Sequence, residues 1–565
     1  MAVKAPHLFI LGAGINGCAL ARELLLAGAR VTLVEAADVA FGATAYSSRL
    51  IHGGLRYLEY GEFDLVRESL EERTRLLRLA PQFVRPLELA IPLENLTGGF
   101  LAATGRLLHR QVPLGGTGKP RGMLLVKAGL ALYDAYARDP TLPRHRVRRV
   151  EKLGMPVDAS RFRWLATYYD AQVRFPERFT LALLTDAQRI AAERGTEFRF
   201  WNYHHARLAG GAVVVEPRIP PLAQPQSTPV TLDCRPDALV NATGAWVDRA
   251  WDELGVSAPR RMGGTKGSHL FTFHAGLQAA LAGRGVYAEA ADGRPIFITP
   301  LGDATLIGTT DEPFADDPAT AVPRDDEVDY LLASVGAIFP GVGLRRQDIA
   351  FSYCGVRPLP RVEASSPAAI TRRHAIDRHD VGGLPCYALI GGKLTTARSL
   401  AEEAAGRILT ELGAPPRTDS RERLIPGAED YPTDDAALAA AWQMLAERYR
   451  LPIEAARATW DLVGSRAVGL LAEVGAVAGE FELVPDTSLP VGFVRRVIDE
   501  EWVVTLDDLV ERRLMLLYDR RLSRRTLARL AQLMVDAGRL RPDDVERAVD
   551  ATSRRLAEHF GKRLD

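Results

Sequence analysis

The N-terminal region of the chain contains the feature that most constrains its fold. An apolar run, His7–Leu11, leads into Gly12-Ala13-Gly14-Ile15-Asn16-Gly17, which fits the pattern G-x-G-x-x-G. An amphipathic stretch, Cys18–Ala27, follows, and a second apolar run, Val31–Val34, ends at Glu35. The order strand, glycine turn, helix, strand and acidic residue is typical of a unit that binds a dinucleotide. The pattern therefore predicts an α/β fold whose parallel sheet begins at the N-terminus.

Each position of this unit has a physical task in dinucleotide binding. Gly12 permits the tight turn, Gly14 lets the backbone approach a pyrophosphate, and Gly17 allows the helix to pack closely on the strand. Glu35 can accept hydrogen bonds from an adenosine ribose. The fingerprint alone does not distinguish NAD from FAD.

A second segment, Gly42–Glu59, contains small and polar residues and glycines, which suits a backbone that passes close to a ligand. It ends in Ser47-Ser48-Arg49-Leu50-Ile51-His52-Gly53-Gly54-Leu55-Arg56-Tyr57-Leu58-Glu59. This stretch resembles the motif S-S-[KR]-L-I-H-G-G-L-R-Y-L-E of the FAD-dependent, quinone-linked glycerol-3-phosphate dehydrogenases. The resemblance selects FAD over NAD as the expected cofactor.

Further segments resemble the same family in the same order along the chain. They are Leu239–Val247 (LVNATGAWV), Lys266–His269 (KGSH), Ile307–Asp311 (IGTTD), Tyr353–Leu359 (YCGVRPL), Ala369–Arg372 (AITR) and Gly391–Thr396 (GGKLTT). The resemblance covers about residues 7–410 and continues weakly through the C-terminal helices. The chain is therefore identified as a member of that family.

The resemblance implies oxidation of sn-glycerol 3-phosphate to dihydroxyacetone phosphate, with electrons passed to a quinone. It implies a Rossmann-like FAD-binding domain interleaved with an antiparallel-sheet substrate domain, followed by an all-helical C-terminal domain. The cofactor site predicted from the fingerprint and the resemblance consists of Gly12, Gly14, Ile15, Asn16, Gly17, Glu35, Thr44, Ser48, Arg49, Leu50, His52, Gly53, Gly54, Ala242, Thr243, Gly244, Gly392, Lys393, Leu394 and Thr395.

The substrate site must fix a phosphate dianion, and arginine suits this task because its planar fork binds phosphate in a bidentate manner. The motif positions supply four cations for it: Arg56, Arg357, Arg372 and Lys393. Tyr57 is predicted to lie on the substrate side with them. Arg357 and Lys393 are also candidates to stabilise negative charge on the alkoxide or the reduced flavin. An ordinary surface ion pair is the alternative for each arginine.

The C2 hydroxyl of the substrate must lose a proton, and His269 is the best candidate for the base. The ordinary pKa of histidine, near 6.5, lies close to a physiological operating pH. A structural role is the alternative for His269. His52 is a rival base, but the sequence His-Gly-Gly fits better a backbone segment that passes the flavin.

Four places depart from the family pattern. Arg49 stands where lysine is more usual, and Pro176-Glu177-Arg178, within residues 170–184, stands where the family usually has D-A-R. Residues 115–127 and the proline-rich stretch 209–231 also differ. These departures affect the expected details of substrate choice more than the expected reaction.

The cofactor-like blocks are widely separated, which favours an FAD fold interrupted by another domain. Alternating apolar residues at Pro295–Pro300 and Ala304–Gly308 predict strands of a sheet that covers the flavin. The predicted segments are the FAD-binding domain over 1–84, 161–254 and 351–412, the substrate domain over 85–160 and 255–350, a linker over 413–435 and a helical domain over 436–565.

Helical spacing of apolar residues predicts helices over 434–448, 453–474, 523–537 and 543–560. Between the second and third of these, and into the third, residues 512–529 combine seven arginines with Leu514-Met515-Leu516-Leu517. Two interpretations are open: a basic amphipathic surface that rests on anionic lipid, or a solvated helical face over a core, which we favour.

The composition limits the compartment and the partners. The 71 basic and 71 acidic residues give a formal net charge of zero, so we expect no nucleic-acid partner. Four cysteines without a C-x-x-C pair indicate neither a disulfide framework nor structural zinc, and no metal is expected. We expect a cytoplasmic protein, with a peripheral contact on the cytoplasmic face of the membrane and a homodimer as open possibilities.

Two other functions compete with the predicted one. The first is an oxidase of the same substrate, or a flavin enzyme for another small substrate, because the choice of acceptor is not readable from these residues. The second is a flavoprotein that binds FAD as a scaffold without catalysis. The complete set of arginine, histidine and lysine at the motif positions argues against the scaffold.

Overall fold

The structure, a computed structural model, describes residues 5–96, 122–209, 212–218, 232–361, 373–414, 420–474 and 479–565. Within these ranges the strands are β1 (His7–Leu11), β2 (Arg30–Val34), β3 (Leu50–Ile51), β4 (Val84–Leu93), β5 (Arg146–Arg149), β6 (Trp164–Val173), β7 (Phe198–Trp201), β8 (His204–Ala209), β9 (Ala212–Pro217), β10 (Leu232–Cys234), β11 (Ala238–Asn241), β12 (Thr265–Thr272), β13 (Gly285–Glu289), β14 (Pro295–Leu301), β15 (Ala304–Gly308), β16 (Glu312–Pro313), β17 (Ile349–Arg357), β18 (Ala375–Val381) and β19 (Leu384–Ile390).

The helices alternate with these strands and then occupy the C-terminal region. They are α1 (Ile15–Leu26), α2 (Phe63–Leu79), α3 (Met123–Ala137), α4 (Val150–Leu153), α5 (Pro176–Arg194), α6 (Val247–Glu253), α7 (Ala275–Leu281), α8 (Asp325–Ile338), α9 (Ala397–Glu411), α10 (Asp435–Tyr449), α11 (Ile453–Val463), α12 (Arg466–Glu473), α13 (Val491–Glu500), α14 (Leu506–Asp508), α15 (Arg524–Asp536) and α16 (Val545–Phe560). Short 3-10 turns lie at Leu55–Tyr60, Gly244–Trp246, Pro318–Thr320, Arg346–Asp348, Leu516–Tyr518 and Pro542–Asp544, and one π-helical turn lies at Leu509–Arg513. Among the helices in these ranges, none combines the length and the apolar character needed to cross a bilayer.

The smaller of the two large sheets has the strand order β18-β19-β11-β1-β2-β7. All its pairings are parallel except that of the edge strand β18. After His7, strand β1 is apolar because both of its faces are covered: Leu8 and Ile10 pack in the core around α1, whereas Phe9 packs on the opposite face. The predicted Rossmann-like parallel sheet is confirmed.

The larger sheet has the strand order β16-β12-β15-β14-β13-β4-β6-β3, with β17 beside β12 and β5 beside β6. Its pairings are antiparallel apart from β13 with β4. The predicted strands at 295–300 and 304–308 are β14 and β15. The antiparallel sheet expected for the substrate domain is therefore present.

Strand pairing differs from the predicted segments at two places. Strand β6 follows residue 161 and pairs with β4, and β17 spans residue 351 and pairs with β12, so both belong to the larger sheet. The segments 161–254 and 351–412 were predicted to belong to the FAD-binding domain, and their first strands do not. Local sequence pattern identifies a strand, but only its tertiary neighbours decide which sheet it joins.

The C-terminal helices pack around one apolar core, as predicted. On α16 the apolar side chains Ala548, Val549, Leu556 and Phe560 are buried on one face. The predicted helix over 453–474 is two helices, α11 and α12, because Gly464 between them has a φ of 63°. This core continues into Phe271 and Phe351 of the larger sheet, so the helical domain rests on that sheet.

The predicted linker is packed against the rest of the protein wherever the structure describes it, namely at 413–414 and 420–435. Ile425 is buried, and the Gln82 side chain donates 3.1 Å hydrogen bonds to the carbonyl groups of Ile425 and Pro426. Arg423 forms an ion pair with the buried Asp186 of α5. Proline and charge in this segment thus indicate irregular backbone, not a free tether.

A buried ion pair joins α5 to the helical domain and yields a test of this packing. Arg178 donates to Glu501, with Nη2 2.9 Å from Oε1, and both side chains are at most 5% exposed. Arg178→Met leaves a buried carboxylate without its partner, and we expect the free energy of unfolding to fall by about 3–5 kcal/mol. The midpoint of urea unfolding, followed by circular dichroism, measures the change.

The matched control is Arg346→Met, because Arg346 pairs with the exposed carboxylates of Asp325 and Asp329. Exposed pairs contribute about 0–1 kcal/mol, so this variant should unfold near the wild-type midpoint. Equal midpoints for the two variants would contradict the role assigned to the buried pair.

Candidate active site

A cavity of about 2430 Å³ lies between the two large sheets. On one side it is lined by Gly12, Glu35, Ala242 and Gly391, each of which directly follows a parallel strand of the smaller sheet. Ligands of open α/β sheets bind outside these carboxyl ends. The opposite side is formed by the larger sheet, including His269 of β12.

The glycine turn leaves no room for side chains behind the cavity. A Cβ on Gly12 would lie 2.8 Å from the carbonyl oxygen of Ala242, and Gly12 has a φ of 96°. A Cβ on Gly17 would lie 1.8 Å from the carbonyl oxygen of Gly12. The turn is therefore packed closely against Ala242, the residue that follows the neighbouring strand β11. This packing brings the start of α1 to the cavity wall.

Polar groups at the start of α1 fit a nucleotide cofactor. The amide of Ile15 donates to Thr44 Oγ1 at 3.1 Å, and the side-chain amide of Asn16 donates to the carbonyl of Gly391 at 3.2 Å. The other side-chain atom of Asn16, Oδ1, is buried at the cavity and accepts no hydrogen bond from a residue that the structure describes. A buried acceptor of this kind normally has a partner, so the site is built for a bound polar group.

Glu35 is held in the geometry that a ribose requires. The amides of Ala13 and Ala37 donate to its two carboxylate oxygens at 2.7 and 2.9 Å. Burial raises the pKa of Glu35, while these amide donors act in the opposite direction. Each oxygen keeps a further lone pair for a hydroxyl donor. These residues fit the adenosine part of FAD.

The segment His52–Gly54 is fixed from behind by a buried network that the sequence did not reveal. The amide of Gly53 donates to the Tyr133 hydroxyl at 2.8 Å, and that hydroxyl donates to Asp170 at 2.6 Å. Arg73 donates to the same Asp170 oxygen at 3.0 Å. These partners are separated by many positions along the chain, so no local pattern joins them.

His269 lies at the cavity with its Nε2 atom 2.9 Å from the Ser48 hydroxyl. Its Nδ1 atom is buried and has no hydrogen-bond partner among the described residues. Burial lowers the pKa of His269 to about 3, and the charges of Arg357 and Arg49 act in the same direction. The imidazole is therefore neutral at physiological pH, and its pKa lies well below the unperturbed histidine value of 6.5.

Arg357 is held as a fixed positive charge at the cavity wall. Its guanidinium donates to Asp311 Oδ1, Thr309 Oγ1 and the carbonyl of Thr310, each at 2.9 Å. It remains about a quarter exposed on its side chain. Because both Nη atoms of Arg357 already donate to protein acceptors, Arg357 contributes its positive charge to the site more than a pair of donors for bidentate phosphate binding.

The structure describes three of the four remaining residues that were predicted for the substrate site. Arg56, Tyr57 and Lys393 line the cavity, and the Lys393 ammonium lies 4.2 Å from the centroid of the Tyr57 ring. Arg372 lies outside the described residues. The substrate roles of these residues stay predictions.

Most of the predicted cofactor residues line the same cavity. Those that do are Gly12, Gly14, Ile15, Asn16, Glu35, Thr44, Ser48, Arg49, Leu50, His52, Gly54, Ala242, Thr243, Gly244, Gly392, Lys393, Leu394 and Thr395. Gly17 lies behind the turn and Gly53 lies against Tyr133, so their place is in packing, not at the cavity wall. The assignment of these residues to the cofactor remains a prediction.

Two departures from the family pattern are in direct contact. The Arg49 guanidinium donates to both carboxylate oxygens of Glu177, at 2.6 and 3.2 Å, and both side chains are at most 1% exposed. The departures at 115–127 and 209–231 fall largely outside the described residues. The structure thus explains two of the four departures by one buried ion pair.

The basic cluster at 512–529 is not a single surface. Arg512 and Arg513 are buried, and both donate to Asp38. For these two residues both earlier interpretations, lipid contact and solvated face, were wrong. The other five arginines of the cluster are exposed or half-buried. Charge in a sequence does not reveal burial when a carboxylate far along the chain neutralises it.

Comparison with known proteins agrees with this geometry. Residues 7–407 match the family model of FAD dependent oxidoreductases. A glycerol-3-phosphate dehydrogenase from Synechocystis sp. is 34% identical, covering 90% of this chain and 88% of the relative. A D-erythritol 1-phosphate dehydrogenase from Brucella abortus is 33% identical over 71% of this chain and 73% of the relative.

The fold also matches a solved structure. The glycerol-3-phosphate dehydrogenase from Bacillus halodurans, solved with FAD, superposes with a TM-score of 0.70, covering 99% of this chain and 96% of that one. The two sequences are 20% identical, so the match speaks to the fold.

The neutral state of His269 predicts how stability depends on pH. Because its folded pKa of about 3 lies below the ordinary value of 6.5, the unfolded state binds more protons between these values, and stability falls as pH falls through that window. Replacing His269 removes the imidazole that binds this additional proton in the unfolded state. We expect His269→Asn to flatten the slope of unfolding free energy between pH 5 and 6 by roughly 1 kcal/mol per pH unit.

Urea unfolding of the holoenzyme at several pH values measures this slope. His205→Asn is the control, since the His205 side chain is only half-buried, with 42% of it exposed. A slope that is the same in wild type and His269→Asn would contradict the buried neutral imidazole.

Proposed function

The chain belongs to the FAD-dependent oxidoreductases and, within them, to the glycerol-3-phosphate dehydrogenase family, and from this membership we propose that it oxidises sn-glycerol 3-phosphate to dihydroxyacetone phosphate. FAD, when bound, accepts the hydride that leaves C2 of the substrate. The observation that carries the proposal is that one cavity contains the dinucleotide turn at one side and His269, Arg357 and Lys393 at the other.

The protein binds and orients the substrate by charge. Arg357 is fixed by Asp311 and its neighbours, and Arg56 and Lys393 line the same cavity. Fixed cations attract the phosphate dianion and need no reorganisation during the reaction. Charge-assisted hydrogen bonds contribute about 1.5–3 kcal/mol each, so unphosphorylated glycerol should react poorly.

The protein also receives the proton of the C2 hydroxyl. In this proposal the acceptor is the neutral His269 ring: Ser48 gives its hydroxyl proton to Nε2 across their 2.9 Å hydrogen bond and takes the proton of the C2 hydroxyl. The low pKa follows from burial and from the charge of Arg357. A phosphate dianion beside Arg357 opposes that charge, which moves the pKa of His269 back toward its ordinary value when substrate binds.

The electrons then leave the flavin, and we assign them to a quinone. An oxidase that reduces oxygen is the competing acceptor chemistry, and a longer polyol phosphate is the competing substrate, since one relative of similar identity acts on D-erythritol 1-phosphate by its name. A non-catalytic flavin scaffold is the most distant alternative.

The proposal is tested by an anaerobic visible spectrum of the purified holoenzyme before and after the addition of substrate. With sn-glycerol 3-phosphate we expect the flavin band to bleach and dihydroxyacetone phosphate to form. D-erythritol 1-phosphate and glycerol are added in parallel. Bleaching by the erythritol phosphate alone would replace the substrate, and flavin that no alcohol reduces would favour the scaffold. Peroxide formed with oxygen alone would assign the oxidase.

The phosphate-binding role of Arg357 is tested by Arg357→Ala. Loss of one charge-assisted interaction should lower kcat/KM for sn-glycerol 3-phosphate by roughly 10- to 150-fold while FAD stays bound. Arg361→Ala is the control, because Arg361 is exposed just beyond the same strand. Full turnover in Arg357→Ala would remove Arg357 from the site.

A contact with the cytoplasmic face of the membrane is also proposed, at a different place from the cluster at 512–529. The edge strand β5 and its surroundings form a basic edge of six exposed cations: Arg144, Arg146, Arg148, Arg149, Lys152 and Arg163. None of the six forms an ion pair with any residue in the described ranges. The adjacent helix α3 is apolar and buries three of its fifteen side chains.

A basic strand beside an apolar helix with an exposed Leu124 fits an anionic lipid surface. We expect the holoenzyme to sediment with vesicles that contain anionic phosphatidylglycerol, but not with neutral phosphatidylcholine, and to be released by high salt. Arg146→Glu/Arg148→Glu should abolish sedimentation, while Arg520→Glu/Arg525→Glu should not. The opposite result would return the contact to the C-terminal cluster. A cytoplasmic location and a homodimer remain part of this proposal.

A further inference from the structure

The loop between β2 and β3, residues 36–49, forms a large part of the cavity wall and is here named the cofactor loop. It contains no regular helix or strand, and it supplies Phe41, Thr44 and Ser48 to the cavity. Ala40 and Arg49 within it have φ values of 60° and 56°. Residues other than glycine rarely adopt such a positive φ unless the surrounding structure imposes it.

The C-terminal helical domain contacts the start of the cofactor loop through buried charges. Arg512 Nε lies 2.6 Å from Asp38 Oδ2, and Arg513 Nη2 lies 2.8 Å from Asp38 Oδ1. All three side chains are at most 3% exposed. Burial alone would raise the pKa of Asp38, but the two guanidinium groups lower it, so the carboxylate stays charged.

The middle of the cofactor loop is held by aromatic contacts. The Tyr46 ring lies between Tyr353 of β17 and the last turn of α16, with ring centroids 5.6 Å from Tyr353 and 6.0 Å from Phe560. Arg555 of α16 donates to the Tyr46 hydroxyl at 3.3 Å. The same helical domain therefore contacts the loop a second time.

The end of the cofactor loop is held at Arg49. Besides its two hydrogen bonds to Glu177, Arg49 donates to the carbonyl of Arg174 at 2.6 Å and to the hydroxyl of Tyr518. Its guanidinium carbon also lies 4.5 Å from the centroid of the Tyr518 ring. Tyr518, from the helical domain, thus closes a cage around a fully buried arginine.

The residues next to Arg49 reach the reaction site. Ser48 shares its hydroxyl hydrogen bond with His269 Nε2, and the carbonyl of Ser47 accepts a 2.5 Å hydrogen bond from Tyr353. Tyr353 in turn accepts from Arg49 Nε at 3.4 Å. A shift of Arg49 therefore moves the neighbour of His269 directly.

We propose that Tyr518 of the C-terminal helical domain is a positioning residue, which fixes Arg49 on Glu177 and thereby sets the Ser48–His269 contact and the shape of the cofactor loop. The helical domain is then part of the catalytic unit, although the matched family model ends at residue 407. The kinetic part of this inference rests on the proposed function, whereas its effect on the bound flavin does not.

The test compares Tyr518→Phe with Tyr449→Phe in the full-length holoenzyme. Each substitution removes only a hydroxyl, and that of Tyr449 contacts Val468 within the helical domain, away from the cofactor loop. We expect Tyr518→Phe to lower kcat at least threefold with KM unchanged and to alter the visible circular dichroism of bound FAD. It should also raise the Kd of the apoprotein for FAD at least threefold. Tyr449→Phe should match wild type in all three.

A double-mutant cycle with Ser48→Ala separates positioning from a loss of stability. If Tyr518 acts through Ser48, adding Tyr518→Phe to Ser48→Ala should lower kcat by less than 1.5-fold, because coupled residues are not additive. The same factor in both backgrounds, or equal behaviour of Tyr518→Phe and Tyr449→Phe, would overturn the inference.

Arg49→Lys provides the second variant if Tyr518→Phe is poorly folded. A lysine keeps the charge beside Glu177 but cannot reach Tyr518 and Arg174 at once, so it should reproduce the changes in circular dichroism and Kd. A wild-type flavin signal in Arg49→Lys would contradict the inference. If wild type itself is not reduced by sn-glycerol 3-phosphate, the proposed function fails, and the circular dichroism and Kd still decide the role of Tyr518.

Discussion

Buried ion pairs between distant parts of the chain hold together the elements that surround the cavity between the two large sheets. Glu177 and Arg178 are neighbours on α5. Glu177 pairs with Arg49 of the cofactor loop, and Arg178 pairs with Glu501 of the helical domain. Asp38 with Arg513 joins the other end of that loop to the same domain. Removing one partner of such a pair leaves a buried charge, whereas a whole pair contributes little over apolar packing, so these pairs specify an arrangement more than they add stability.

Burial also determines the electrostatics of the site. Burial keeps His269 neutral and raises the pKa of Glu35, while Asp311 and neighbouring oxygens hold the Arg357 guanidinium in place by accepting its hydrogen bonds. Charges held in place by the protein need no rearrangement during a reaction. The neutral imidazole of His269 and the fixed guanidinium of Arg357 are therefore two consequences of one packing arrangement.

The match to the oxidoreductase family and the contacts of the helical domain describe different halves of this arrangement. Residues 7–407 account for both large sheets and for the glycine turn. The helices that follow place Arg513, Phe560 and Tyr518 against the cofactor loop. In the sequence, Arg49 and Glu177 are two separate departures from the family motif. In the structure they form one ion pair.

The sequence by itself determined the elements whose signals are local. The glycine turn with its flanking strands, the strands β14 and β15 and the C-terminal helices follow from short-range periodicity and from steric limits on single residues. Most of the predicted motif residues also lie at the cavity, although much of its lining comes from other segments. Only the tertiary structure decided which sheet β6 and β17 join, that Arg512 and Arg513 are buried on Asp38, and that His269 has a lowered pKa. These properties depend on which distant groups meet and exclude water, and no local pattern encodes that.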